Sequence, residues 1–290
     1  MMYLPETLPD ARVLIAVKAY PLPSNRYEEL VCTAGVLENG KWLRIYPIPF
    51  RNLPYDQQYR KFEWIRLDLV RNAKDFRPES YRPRLGLDER IALDGHIPAS
   101  AEGWEERKSY VLREVFDSMS EVIGLAKGPQ QRSLAVLKPC EIVDFTIEPT
   151  SRRWKKKWDD FYLQNNLFEI DAAGEAKKRI PIKKLPYKYS YVFLSAGDSR
   201  PHKLLIEDWE LGALYWNCLA RANGDEAEAN RLVRRRYLEE FCAARDIYLF
   251  LGTTRRYHRI SPNPFIIIGV FYPPKISRVH KSAPVQLSLF

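Results

Sequence analysis

ELVCTAGVLENGKWLRIYPIPF, residues 29–50, decides how the first half of the chain is read. Two apolar, β-branched runs, VCTAGVL and KWLRIYPI, flank Glu38-Asn39-Gly40-Lys41. Asn-Gly is the strongest short hairpin signal, because a tight two-residue turn needs positive φ at its centre. The spacing therefore predicts a β-hairpin. Upstream, ARVLIAVKAY (11–20) has the composition of a buried strand. Downstream, FEWIRLDLVRN (62–72) alternates apolar and polar residues, as a half-buried strand does. AKDFRPESYRPR (73–84) reads as a loop rich in Pro and Arg.

The period then changes. WEERKSYVLREVFDSMSEVIGLAKG (104–128) places Val111, Val115, Met119, Val122 and Ile123 on one helical face, and Gly128-Pro129 ends it. LAVLKPCEIVDFTIEP (134–149) returns to strand character with a break at Pro139. A β-rich domain is expected over 1–149. Composition shifts sharply at TSRRWKKKW (150–158). Beyond it, residues 175–197 turn from basic to aromatic and β-branched, and 207–222 and 225–246 read as two helices. In the first of these Leu211, Leu214, Tyr215, Cys218 and Leu219 share a face. IYLFLGTT (247–254) and PFIIIGVFYPP (264–274) read as buried strands. This predicts a second, basic and aromatic α+β domain over 150–274, with a helix pair on buried strands, and a flexible tail over 275–290. The fold class expected is α+β.

Bulk composition bounds the function. The chain has 290 residues, 46% of them hydrophobic, which suits a folded protein. No apolar run is long enough to span a bilayer, and the N-terminal stretch lacks a signal-peptide pattern. The four cysteines, Cys32, Cys140, Cys218 and Cys242, form no CxxC pair. A reducing, cytoplasmic setting is expected, with no membrane partner. The net charge of +9 bears on partners and not on fold, and its clustering favours nucleic acid.

The densest basic stretch is RRWKKKWDDFYLQ (152–164). As a helix it would align Trp154, Trp158, Phe161 and Tyr162, with Arg152, Arg153, Lys155, Lys156 and Lys157 around them. Cations neutralise phosphates and aromatic faces stack on unpaired bases. The alternative is an aromatic stripe facing the core with a solvated basic rim. A second polar loop carries Thr253, Thr254, Arg255, Arg256 and His258 after a buried strand, a place suited to phosphate contacts. Candidate catalytic carboxylates are Asp75 and Glu79 in DFRPES, and Glu207, Asp208 and Glu210 in IEDWE. Such pairs activate water or hold Mg²⁺ beside a phosphate. The competing reading of IEDWE is a helix cap. No P-loop, GxGxxG, HExxH or GxSxG motif is present. No cofactor is expected, unless Mg²⁺ for a nuclease.

Three resemblances add to this. Gln286-Leu287-Ser288-Leu289-Phe290 resembles the pentapeptide by which many bacterial DNA polymerases and repair proteins dock on the β sliding clamp. All five positions match the Gln-Leu-Ser/Asp-Leu-Phe pattern. The resemblance implies that Leu287, Leu289 and Phe290 are anchors and Gln286 an orienting group, carried on the basic, Pro-containing stretch KISRVHKSAPV (275–285). The Cys-Thr-Ala-Gly…Gly-Lys-Trp-Leu-Arg pattern is similar to the opening of small OB-like barrels in uncharacterised prokaryotic proteins near defence loci. PYKYSYVF, HKLLIEDWELGALYWN and LFLGTT resemble uncharacterised bacterial proteins, some with Cys-x-x-Cys-x-x-His before Asp-Trp-Glu. This chain has SAGDSRPH (195–202) there, and His202 alone cannot hold a metal. The function expected is a DNA-binding protein recruited to the sliding clamp, in replication, repair or anti-phage defence. The alternatives are a clamp-tethered nuclease or base-excising glycosylase, and an RNA-binding module whose tail packs on itself.

Overall fold

The computed structural model describes residues 4–24, 28–86, 90–155 and 182–275. Its N-terminal part is built on strands β1 (Thr7–Lys18), β2 (Leu22–Ser24), β3 (Glu28–Leu37), β4 (Trp42–Ile48), β5 (Glu63–Arg71), β6 (Ser80–Pro83) and β7 (Ala92–His96). Five of them close a barrel in the order β1-β3-β4-β6-β5, with β5 pairing back onto β1. All these pairings are antiparallel except β4 with β6. The expected hairpin is β3–β4. Gly40 takes φ +80° in its turn, and the Asn39 side chain accepts from the Lys41 amide at 3.0 Å. Gly35 sits where β3 crosses β1 so closely that a Cβ would lie 2.3 Å from the Leu14 carbonyl oxygen.

Alternation along β1 explains the layers. Val13 and Ile15 face the barrel interior with Val31, Leu43, Ile45, Ile65, Leu67 and Tyr81. Leu14, Ala16 and Val17 face outward and are equally buried. They are covered by a second sheet, β8 (Leu134–Leu137), β12 (Tyr248–Thr253) and β13 (Phe265–Phe271), ordered β13-β12-β8. Ala34, Val36 and Trp64 of the barrel meet Leu134, Val136, Phe250, Ile268 and Phe271 in one apolar cluster. A third sheet, β11-β10-β9, comprises β9 (Glu141–Pro149), β10 (Tyr187–Leu194) and β11 (His202–Leu205). Strands β8 and β9 therefore hydrogen-bond with β12 and β10 of the C-terminal half.

The helices are α1 (Ala101–Val111), α2 (Met119–Lys127), α3 (Trp209–Arg221) and α4 (Glu226–Arg234), which runs on through a π-helical stretch, Arg235–Glu240. Helices α3 and α4 bury Leu211, Tyr215, Cys218, Ala229 and Val233 against Phe145, Tyr189, Tyr191 and Phe193. The C-terminal part is thus a helix pair on buried strands, and the whole is a mixed α+β fold. Among the described residues no helix is long and apolar enough to cross a membrane.

Two expectations are corrected. The single helix over 104–128 is two helices. Phe116 leaves the helical path to exchange backbone hydrogen bonds with Val136 and Lys138, and the Ser118 hydroxyl caps α2 by accepting from the Glu121 amide. Val115, placed on the buried face by periodicity, is 38% exposed. The Pro- and Arg-rich loop over 73–84 contains β6, whose pairing with β4 and β5 closes the barrel.

Candidate functional site

The loop between β5 and β6 carries Asp75 and Glu79; Thr253 ends β12, and the loop after it carries Arg255, Arg256 and His258. The fold brings these two stretches together. Arg77 donates Nε–H to Asp75 Oδ1 at 2.9 Å and an NH2 proton to Oδ2 at 2.5 Å. Its other terminal nitrogen donates to the Thr253 carbonyl across the seam. Ser80 Oγ donates to the same Asp75 carboxylate at 2.8 Å. Burial opposes ionisation of Asp75, but the hydrogen bonds and charge of Arg77, with Ser80, prevail and hold it at about 2.

Arg44, from the outward face of β4, is 2% exposed. It donates to Ser133 Oγ at 2.9 Å and, at 3.4 Å, to the carbonyls of Ser133 and Thr253. Glu79 accepts from the Ser133 amide at 3.0 Å and from its hydroxyl at 2.9 Å. Burial, then the charge of Arg77, lowers Arg44 from the ordinary guanidinium range. A cavity of about 270 Å³ opens beside Glu79, lined by Trp42, Gln130, Arg132, Leu134 and Val136 among others.

His258 is fully enclosed. Its Nε2 lies 3.1 Å from the Ala126 carbonyl and its Nδ1 2.7 Å from Thr253 Oγ1. A carbonyl only accepts, so Nε2 carries the proton and Nδ1 accepts from the threonine. Burial first, with the Arg77, Lys127 and Arg44 charges, lowers its pKa against the Ala126 hydrogen bond. His258 is a neutral anchor of the loop. Lys127, at the end of α2, holds the same loop by donating to the carbonyls of His258 and Arg259 at 3.1 Å and of Ser261 at 2.5 Å. The loop surface presents Arg255, Arg256, Tyr257, Arg259 and Ile260. Arg256 lies 5.3 Å from the Tyr257 ring, and Arg259 3.9 Å from the Phe76 ring. Among the described residues none of these three arginines has a carboxylate partner.

Asp208 and Glu210 lie at a different place along the seam. Asp208 caps α3, its Oδ1 accepting from the Glu210 amide at 3.0 Å. Its Oδ2 accepts from Lys61 at 3.2 Å and from the Val270 amide at 3.3 Å. Lys61 also donates to Glu210 at 2.9 Å. Burial lowers Lys61, but Asp208 and Glu210 outweigh it and keep it charged. Of the five candidate carboxylates, Asp75, Glu79, Asp208 and Glu210 therefore form two separate pairs, each engaged by a cation of the barrel or by Ser133, and Glu207 is half-buried just before α3.

The basic stretch at 152 is irregular up to Lys155. Arg152 pairs with Glu226 at the start of α4, and the Trp154 indole donates to the Ile182 carbonyl at 2.8 Å. Arg153 and Lys155 are exposed. Lys156, Lys157, Trp158, Phe161 and Tyr162 lie outside the described residues, as do Gln286, Leu287, Leu289 and Phe290 of the tail. His202 sits 3.0 Å from Asp198, which also accepts from Ser120. Among the described residues no cluster of His, Cys, Asp or Glu could hold a metal ion.

Residues 9–113 match the domain of unknown function DUF8758, and residues 115–290 match the domain of unknown function DUF8757. The chain belongs to the DUF8757 family. No curated protein matches it. Arg44, Asp75, Arg77 and Glu79 come from the DUF8758 segment; Ser133, Thr253 and His258 come from the DUF8757 segment. The site is thus assembled across the two. Sequence reading missed Arg44, Phe76, Arg77 and Lys127. Arg44 falls on the polar beat of an alternating strand, which reads as solvent-facing until a second sheet covers it.

Proposed function

We propose that this DUF8757 protein binds nucleic acid, single-stranded DNA foremost, along the loop that follows β12. One observation carries the reading: among the described residues Arg255, Arg256 and Arg259 stand without carboxylate partners, interleaved with Tyr257 and Ile260, on a loop pinned by Lys127 and His258. Guanidinium groups that no carboxylate neutralises attract phosphates, Arg259 donating to the neutral Gln131 side chain at 3.2 Å, and an exposed tyrosine gives a base a face to stack on. The barrel supports it. Counting only its five closing strands in chain order, they run first, second, third, fifth, fourth, with the third parallel to the fifth. That is the order of an OB-like barrel, an architecture used on single strands. Binding is preferred to hydrolysis because Asp75 and Asp208 are already saturated by donors of their own chain. Residues 286–290 are assigned to docking on the bacterial sliding clamp, which would concentrate the body on DNA during replication, repair or defence in the cytoplasm.

The test is fluorescence anisotropy with a labelled single strand across a salt series. Arg255→Ala with Arg256→Ala should lower affinity and reduce the slope of log K against log salt by about 1.4, two phosphate contacts' worth. An unchanged slope overturns the assignment. Calorimetry against purified clamp, with and without residues 286–290, tests the tail separately.

A further inference from the structure

Beside Glu79 the cavity of about 270 Å³ is just under the size at which small-molecule pockets begin, about 300 Å³. It suits one planar ring system. Its walls are chemically mixed. Trp42 and Leu134 give it apolar sides, and Trp42 is braced by Phe250, the ring centroids 5.0 Å apart and the planes at 60°. Lys41 and Arg132 on the lining balance Glu79 and Glu114, which favours a neutral occupant. Two lining side chains keep acceptors to spare. Gln130 Oε1 is buried and, among the described residues, has no hydrogen-bond partner. Such an atom costs free energy until a donor reaches it. Glu79 takes the Ser133 amide on Oε1 at 3.0 Å and the Ser133 hydroxyl on Oε2 at 2.9 Å, which leaves each oxygen a lone pair.

We propose that this cavity takes up a guanine base. The walls call for a neutral, flat ring system with N–H donors along one edge. Guanine carries N1–H and the 2-amino group side by side on such an edge. Adenine and cytosine offer an amino group alone there, and thymine a single N–H. Unstacked bases are read in this way, one face on an aromatic ring and the pairing edge on side chains. Trp42 supplies the ring, and Gln130 and Glu79 supply the acceptors. Arg132 spends one nitrogen on Glu114 at 2.6 Å and keeps N–H groups for the guanine O6.

The cavity adjoins the arginine loop. Gln131, next to Gln130, accepts from Arg259 at 3.2 Å. Phe76, two residues before the lining Pro78, has its ring 3.9 Å from the same guanidinium. A base leaving a strand held on that loop has the cavity beside it, and a free guanine nucleotide reaches the same walls without a strand. The first source rests on the nucleic-acid reading; the second does not.

The test has two arms, both on the full chain. Calorimetry titrates guanosine monophosphate, with inosine and adenosine monophosphates for comparison. Inosine lacks the 2-amino group and should bind about tenfold more weakly, the effect of one hydrogen bond lost in a buried site. Gln130→Leu, checked for an unchanged melting curve, should weaken guanosine monophosphate by about the same factor. Fluorescence anisotropy compares labelled oligo-dT carrying one central dG with plain oligo-dT and with single dA and dC substitutions. A preference of about tenfold for dG, lost in Gln130→Leu while oligo-dT affinity holds, assigns the base to a DNA strand. Mononucleotide binding without strand preference assigns it to a free nucleotide, and does so even where oligo-dT fails to bind and the nucleic-acid reading falls. Guanosine and adenosine monophosphates binding alike overturns the inference, as does guanosine monophosphate binding that Gln130→Leu leaves unchanged. Equal affinity for the four strands with no mononucleotide binding also overturns it, and the nucleic-acid reading then stands alone.

Discussion

At the scale of single residues, the seam is held by arginines whose partners lie in the other half of the chain. Arg44 offers its guanidinium to Ser133 and to two carbonyls. Arg44→Met removes these three hydrogen bonds, although the Thr253 carbonyl keeps Arg77 and the Ser133 carbonyl keeps the Thr253 amide, and should cost about 2–3 kcal/mol in urea denaturation. Asp75 makes a pH-dependent contribution. Its folded pKa, about 2, is below its unfolded value. The stabilisation is therefore complete above the ordinary carboxylate range and disappears as pH falls through about 2. Asp75→Asn removes it. The stability gap between the two proteins should shrink by roughly 2 kcal/mol between about pH 5 and pH 2. Chemical denaturation at stepped pH measures the gap, and a constant gap would contradict the assignment. Asp75 and His258 were legible as polar residues in loops of chemical interest. That their two loops meet was not, because the contact joining them, Arg77 with Thr253, spans 176 positions.

Elements whose period matched their burial were the ones that could be read. The β3–β4 hairpin announced itself through Asn39-Gly40, and β12, β13 and α3 through long apolar runs or stripes. Helix α2 was legible, but its separation from α1 was not. Val111, Val115 and Met119 keep helical spacing across a break imposed by a tertiary contact, the pairing of Phe116 with β8. Two substitutions distinguish one helix from two. Val115→Lys places a cation on an exposed position and should change stability by no more than about 0.5 kcal/mol. Ser118→Ala removes the α2 cap and should cost about 1 kcal/mol. A continuous helix would give the reverse order in thermal melts. Strand β6 was missed for another reason: Pro83 and the arginines around it are loop residues by composition, and a short strand held between two neighbours needs little propensity of its own.

The whole molecule should unfold as one body because the barrel has two apolar faces. Leu14, Ala16, Val17, Ala34, Val36, Phe62 and Trp64 are covered only when the β8-β12-β13 sheet and α1 are in place. Residues 1–114 expressed alone should expose that face, bind a hydrophobic dye and self-associate in size-exclusion chromatography. The full chain should melt in a single transition seen alike by tryptophan fluorescence and far-ultraviolet dichroism. A monodisperse, cooperatively folding fragment would show the barrel to be independent. This dependence was invisible in the sequence, since an outward strand face that is apolar looks the same whether it meets a neighbour or an interior.

The parallel join between β4 and β6 has a consequence of its own. It rests on two residue pairs, Arg44 with Ser80 and Ile45 with Tyr81, and the chain entering it is the loop that holds Asp75, Arg77 and Glu79. The ring of staves has its thinnest closure where it carries the loop that ties Arg77 to Thr253 and Glu79 to Ser133. Amide protons there should exchange with deuterium ahead of the rest of the wall, and a molecule that engages Glu79 should slow them.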